Sequence, residues 1–269
     1  MNRKEDTYFN TNKIVYYDRP PLFSGIKGRT YILGVDPNFS ESETASKFLM
    51  CLIELDGSYA TVVNTYAKNG KIQNHISYFN SLVSNFDIKL IIVASAGSQF
   101  LELVNQDLLK GIKVVKQVFN QESIVKMNEF LQVSIANGEI GFVSNSKSVD
   151  EFKQIEANFT IKEQLSNIIT GFTPAGCQYF KLNEDKSKSY DYSKIDGHQL
   201  LMLTNWGKKL YFELVSAFSS VSTEDIIDIL AGSIRNTSRT LASIKHGKNW
   251  TFEQAEEIIR NTIAKHFLK

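Results

Sequence analysis

Two aspartates carry the chemistry this sequence could perform. Asp36 closes the apolar run Tyr31-Ile32-Leu33-Gly34-Val35 and is followed at once by Pro37-Asn38. A run of that composition suits burial on both faces, and its one charge sits at the carboxyl end, where open α/β sheets place their sites. Asp196 follows a loop and opens a second apolar stretch, Gly197-His198-Gln199-Leu200-Leu201-Met202-Leu203. Carboxylates are hard oxygen donors suited to Mg²⁺ or Mn²⁺. Several of them converging on two divalent ions can drive phosphodiester cleavage, one ion activating a water and the other stabilising the leaving oxygen. Taken singly, each aspartate has a plainer explanation: Asp-Pro pairs start turns, and acidic residues cap helices. A third carboxylate, at the end of a later strand, would complete such a site.

The elements that must position these residues follow from periodicity. Residues 1–29 carry few apolar residues at helical or strand spacing, and Pro20-Pro21 forbids a continuous element, so they read as a lead-in segment. Three strands follow, Thr30–Asp36, Phe48–Leu55 and Tyr59–Tyr66, the last two joined by the hairpin signal Asp56-Gly57-Ser58. Ile72, Ile76, Phe79 and Val83 predict a helix over Lys71–Phe86, and Lys89–Ala94 is a short buried strand. Ser98–Leu109 reads as a helix, Gly111–Phe119 as a strand and Glu122–Asn137 as a helix stopped at Gly138. Ser148 with Glu151 has capping-box spacing and starts a helical stretch to Ile169. Residues 171–195 read as an irregular or hairpin insertion rich in aromatics, and a broad apolar helix begins at Asp196. Hairpins first and crossovers afterwards predict a mixed sheet with helices on its faces. Two further helices, Thr223–Arg235 and Thr251–Phe267, flank a polar linker with Arg239, Lys245 and Lys248.

Composition excludes several function classes. Lys and Arg total 30 against 29 Asp and Glu, so no global positive field recruits nucleic acid. Local basic groups remain at Lys186 with Lys188, Lys208-Lys209 and Lys245-His246-Gly247-Lys248, each of which is ordinarily a solvated face. Cys51 and Cys177 form no metal-type pair, and Cys51 sits in an apolar run as a buried free thiol. The four histidines lack zinc spacing, and there is no nucleophile elbow. Gly25-Ile26-Lys27-Gly28-Arg29-Thr30 has the wrong spacing for a phosphate loop and leads into a strand. No signal peptide and no membrane-length apolar run is present, which predicts a soluble, cytoplasmic protein.

From Tyr31 to Leu214 the order of Gly34-Val35-Asp36-Pro37, a hairpin, Ile91-Ile92-Val93-Ala94-Ser95-Ala96-Gly97-Ser98-Gln99 and Ile195-Asp196-Gly197 resembles a known family. That family is the C-terminal nuclease domain of the large terminase subunit of tailed phages and herpesviruses. The resemblance implies an α/β, ribonuclease H-like mixed β-sheet flanked by helices over residues 30–219, with a small helical C-terminal appendage over 220–269. It implies a two-metal endonuclease that cuts concatemeric double-stranded DNA during genome packaging, with Asp36 and Asp196 holding two Mg²⁺ or Mn²⁺ ions. The implied partners are DNA, the terminase ATPase domain and portal or capsid proteins, with no membrane. The family's ATPase domain would lie before residue 1, so the resemblance implies an isolated nuclease domain or fragment. The compartment would be the host cytoplasm for a phage protein and the host nucleus for a herpesvirus-like one.

One departure from the family pattern stands out. Its second carboxylate ends the later strand just before the glycine-containing turn, and that position is Ala94, which has no ligand atom. Three explanations are open: an acid-to-alanine change that silences the nuclease, a naturally impaired site, or a substitute carboxylate from Glu102 or Glu43. The first fits the otherwise intact strand and turn. Asn38, Ser40 and Glu41 lie just past Asp36, where they could adjust a metal or touch DNA. Lys186, Lys188 and Lys194, in the aromatic-rich insertion, and His198 are candidate DNA contacts, although His198 also reads as an ordinary surface histidine. The rival functions are a Holliday-junction-type resolvase on the same fold and a catalytically degenerate packaging or assembly module.

Overall fold

Seven strands form one mixed sheet in the computed structural model, which describes residues 7–42, 46–95, 98–183 and 196–220. β-Branched and aromatic residues are frequent in β2 (Thr30–Asp36), β3 (Phe48–Asp56) and β4 (Tyr59–Lys68), which make an antiparallel meander. Its hairpin turns at Gly57, whose φ of 57° lies in the left-handed region that glycine enters freely. Crossovers then add parallel strands. Helix α1 (Ile72–Asn85) returns the chain to β5 (Ile88–Ala94) beside β2, and α2 (Ser98–Leu103) leads to β6 (Lys113–Gln117) on the outer edge. Helix α3 (Gln121–Ala136) crosses back to β7 (Ile140–Val143), which pairs with β4.

The opposite edge departs from the sequence expectation. The segment before Thr30 contributes β1 (Val15–Tyr17), which pairs in parallel with β7 and gives the order β1-β7-β4-β3-β2-β5-β6. Both strands are too short to show a period-2 pattern. The helix expected over Ser148–Ile169 is α4 (Val149–Leu165), started by the reciprocal Ser148–Glu151 capping box. Its expected last residues instead begin β8 (Ile168–Phe172), which forms a separate hairpin with β9 (Gln178–Leu182). Helix α5 runs from Asp196 to Ser220. Residues through Tyr211 form one compact unit, and Phe212 begins a second. The appendage expected over 220–269 lies, apart from Ser220, outside the described residues. Among those residues no helix is long and apolar enough to cross a membrane.

The two faces of the sheet are distinct. Tyr31, Leu33 and Val35 of β2 and Ile91 and Val93 of β5 pack with Phe79, Leu82 and Val83 of α1 and Phe100 and Leu101 of α2. The alternate residues therefore face α5, as the contacts of Ile32, Gly34, Leu90 and Ile92 with that helix confirm. Helix α3 shares this second face, with Phe130 edge-on to Trp206 and Asn205 donating to Ser134. Helix α4 shares it too, through Gln154 and Asn158 bonded to Thr65.

Candidate active site

Asp36 is the last residue of β2, and strand alternation turns its side chain toward α5. Asp196 is in the first turn of α5, where the helix dipole favours a carboxylate. The fold brings the two together. Burial pushes the Asp36 carboxyl up to about 6, and the negative charge of Asp196 adds to the rise. Among the described residues no cation offsets this repulsion at Asp36.

Position 94 completes a row along the same rim. Val35 of β2 pairs with Val93 of β5, so the next step sets Ala94 beside Asp36 on the face toward α5. Parallel neighbours lie about 4.8 Å apart, close enough for two carboxylates to share an ion. Ala94 is buried and contributes only a methyl group. On its other side Ala94 pairs with Gln117 of β6, which puts a carboxamide third in the row. No local sequence signal marks Gln117; the register between β5 and β6 is what places it there. Its Nε2 donates to the Val118 carbonyl at 2.9 Å.

The start of α5 is held tightly. The His198 N–H donates to Gln164 Oε1 of α4 at 3.0 Å, satisfying one of the helix's free first-turn donors. A Cβ at Gly197 would stand 2.9 Å from both Gln164 Oε1 and Ile161 Cγ1, so glycine lets the two helices approach. His198 is not a surface histidine. It is buried, with Nε2 donating to Asn128 Oδ1 at 2.6 Å and its ring 5.5 Å from that of Phe9. Asn128 Nδ2 donates to the Ile124 carbonyl, which fixes Oδ1 as the acceptor and His198 as the Nε2–H tautomer. Burial lowers the His198 pKa to about 4. A ring enclosed by α3 and Phe9 is out of reach of DNA.

The remaining candidates divide. Asn38 Oδ1 accepts from the Ser40 N–H at 3.0 Å, an Asx turn that bends the chain just beyond Asp36, and Glu41 is exposed. Glu102 is exposed on α2, whose Phe100 and Leu101 pack on the opposite face from Asp36. Glu43, Lys186, Lys188 and Lys194 lie outside the described residues. Lys208, expected on a solvated face, is buried and pairs with Glu139 at 3.0 Å. Cys51 is a buried free thiol, as expected, and burial pushes it up to about 12. Among the described residues no group of three or more His, Cys, Asp or Glu is placed to hold a metal ion.

No family model matches the sequence, and no curated protein does. Solved structures decide the fold. The large terminase nuclease from thermophilic phage G20c with bound magnesium superposes with a TM-score of 0.55 at 13% identity, over 76% of this chain and 98% of that one. The chain has the large terminase nuclease fold. The same phage nuclease with bound cobalt gives a TM-score of 0.53 at 13% identity, covering 76% of this chain and 98% of that chain. The large terminase nuclease domain of Thermus phage P74-26 gives 0.51 at 13% identity, over 74% and 94%. Within the terminase nuclease fold, the Asp36–Asp196 pair lies at the carboxyl ends of the parallel strands β2 and β5, where α/β sheets carry their sites.

A pair of like-charged, partly buried carboxylates, with no cation beside Asp36 among the described residues, fits a divalent ion. Mg²⁺ is commonly held by one or two carboxylates plus water and phosphate oxygens. Two donor residues suit one such ion.

Proposed function

We propose that this chain is the metal-dependent DNA endonuclease domain of a packaging terminase, impaired as it stands by alanine at position 94. The observation that carries the proposal is the repelling Asp36–Asp196 pair on the rim of a terminase nuclease fold. The magnesium and cobalt bound to the phage G20c nuclease support a divalent requirement here. A bound divalent ion supplies Lewis-acid activation of water and neutralises charge on the phosphate. Asp36 provides a carboxylate on a rigid strand, its position set by β3 and β5 on either side. Asp196 provides a second from α5, braced by Gln164. The Ala94 methyl group provides nothing, which leaves a two-ion arrangement without its shared ligand. The substrate is the backbone of concatemeric double-stranded DNA, so little sequence preference is expected. The partners that follow are the terminase ATPase domain and portal or capsid proteins.

Ala94 itself favours a second reading, a catalytically degenerate packaging or assembly module. A supercoiled-plasmid nicking assay with Mn²⁺ or chelator separates the two readings when this chain is compared with Ala94→Glu and Ala94→Asp. Cutting by an acidic variant alone supports the nuclease with a missing ligand. Metal-dependent cutting by the unsubstituted chain as well supports a nuclease with a substitute carboxylate, with Glu43 tested next. Inert, folded proteins throughout favour the module.

A further inference from the structure

Gly34 has no conformational reason to be glycine. It lies in the middle of β2, paired with Cys51 on β3 and Ile92 on β5, and its φ is not among the positive values. Glycine weakens a strand interior, and its usual justification there is the close approach of another backbone. The backbone that approaches is α5. A Cβ at Gly34 would stand 2.0 Å from Thr204 Oγ1, 2.9 Å from Thr204 Cβ and 3.2 Å from Thr204 Cα. Turning the Thr204 hydroxyl away relieves only the first of these contacts. It would also break the bond from Oγ1 to the Leu200 carbonyl at 2.7 Å and the contact with the Cys51 thiol. The other two contacts involve the helix itself.

We infer that Gly34 and Thr204 are positioning residues. The bare strand at Gly34 lets Thr204 seat α5 directly on β2, and this seat sets the reach of Asp196 toward Asp36. The inference rests on the reading of Asp36 and Asp196 as metal ligands. The two ends of the argument lie on the same two elements: Gly34 is two residues before Asp36 on β2, and Thr204 is eight residues after Asp196 on α5.

The geometry gives the size of the effect. The Cβ–Cβ contact of 2.9 Å falls about 0.5 Å short of ordinary van der Waals separation, so Gly34→Ala must lift the helix by that amount at Thr204. A second close approach lies one turn further along. Gly207 sits over Ile92 and Ile32, where a Cβ would be 2.9 and 3.0 Å from their Cγ2 methyls. With this contact as pivot, Thr204 is about 4.5 Å and Asp196 about 16.5 Å along the helix. A rigid helix would therefore carry Asp196 outward by roughly 1.8 Å, and the brace at Gly197 would reduce this toward 0.5 Å. Misplacement on that scale is costly where ligand geometry must be held closely.

The test compares the full chain with Gly34→Ala, Thr204→Gly and the double variant. Mn²⁺ binding is read by electron paramagnetic resonance of the free ion, and the Asp36–Asp196 separation in crystals. Gly34→Ala should weaken Mn²⁺ binding by roughly ten- to a hundredfold. In the double variant the Thr204 hydroxyl and Cβ are gone and only the 3.2 Å contact with the residue 204 Cα remains, so affinity and separation should return most of the way to those of Thr204→Gly alone. General loss of packing would not produce that rescue. Unchanged Mn²⁺ affinity in a folded Gly34→Ala protein overturns the positioning role, as does a loss the double variant fails to restore. If the unsubstituted chain binds no Mn²⁺, the metal-site reading falls, and the crystals decide the positioning role alone. A wider separation in Gly34→Ala that closes in the double variant supports the role, and an unchanged separation overturns it.

Discussion

Replacing Asp36 by asparagine should make the metal-free protein more stable, because the native carboxylate is held in an unfavourable place. Its pKa rises from 3.8 to about 6 on folding, through burial and the charge of Asp196. At about 1.4 kcal/mol per unit, the full shift corresponds to roughly 3 kcal/mol. Partial contact with solvent brings the expected gain to about 1–2 kcal/mol. In the unfolded chain the carboxyl loses its proton near 3.8, and in the folded chain only near 6. Across that window the folded state binds more protons, so stability falls as pH rises and the penalty is complete above about 6. The neutral amide of the variant carries no such penalty, so the Asp36→Asn advantage should be present at pH 7.5 and absent below about pH 4. For a unit of this size it amounts to a rise in Tm of roughly 2–8 °C. Thermal unfolding in chelator at both pH values measures it. Added Mg²⁺ should then stabilise the unsubstituted chain and leave Asp36→Asn unmoved. A variant no more stable at pH 7.5 in chelator, or one that gains as much from Mg²⁺, would refute the reasoning.

Three further outcomes follow from the same structure. His198 titrates with the opposite sign: its unfolded pKa is 6.5 and its folded pKa about 4, so acidification through that window should cost about 3 kcal/mol, and urea unfolding of His198→Gln should show a flatter pH profile. Lys208→Met should cost about 1–3 kcal/mol, since it strands the half-buried Glu139, and adding Glu139→Gln should recover part of the loss in a double-mutant cycle. Ser148→Ala should cost about 1 kcal/mol by removing the cap of α4, read as a lower urea midpoint.

How much was legible in the sequence depended on the range of the cause. The strand ending at Asp36, the Asp56-Gly57 hairpin and the Ser148–Glu151 cap are written within a few residues, and the structure has all three. Strands β1 and β7 are stabilised by each other and by β4 rather than by their own pattern. Ile168 and Ile169 look helical in sequence because apolar residues of α4 precede them, yet they pair with Leu182 and Lys181. His198 and Lys208 were misjudged for one reason: their partners, Asn128 and Glu139, lie far away in sequence. The purpose of Gly34 was invisible without the helix that rests on it. At the candidate site, the places of Asp36 and Asp196 at element ends are readable in sequence, whereas the place of Gln117 beside Ala94 needs strand register.

The central claim is that Asp36 and Asp196 together hold a divalent ion at a site whose further ligand position is residue 94. Anomalous diffraction from Mn²⁺-soaked crystals tests it most directly, comparing this chain with Ala94→Asp. The account predicts one manganese peak in contact with both Asp36 and Asp196 in the chain as it stands, and a second beside it in Ala94→Asp. Ordered carboxylates with no peak between them, in either crystal, would contradict it.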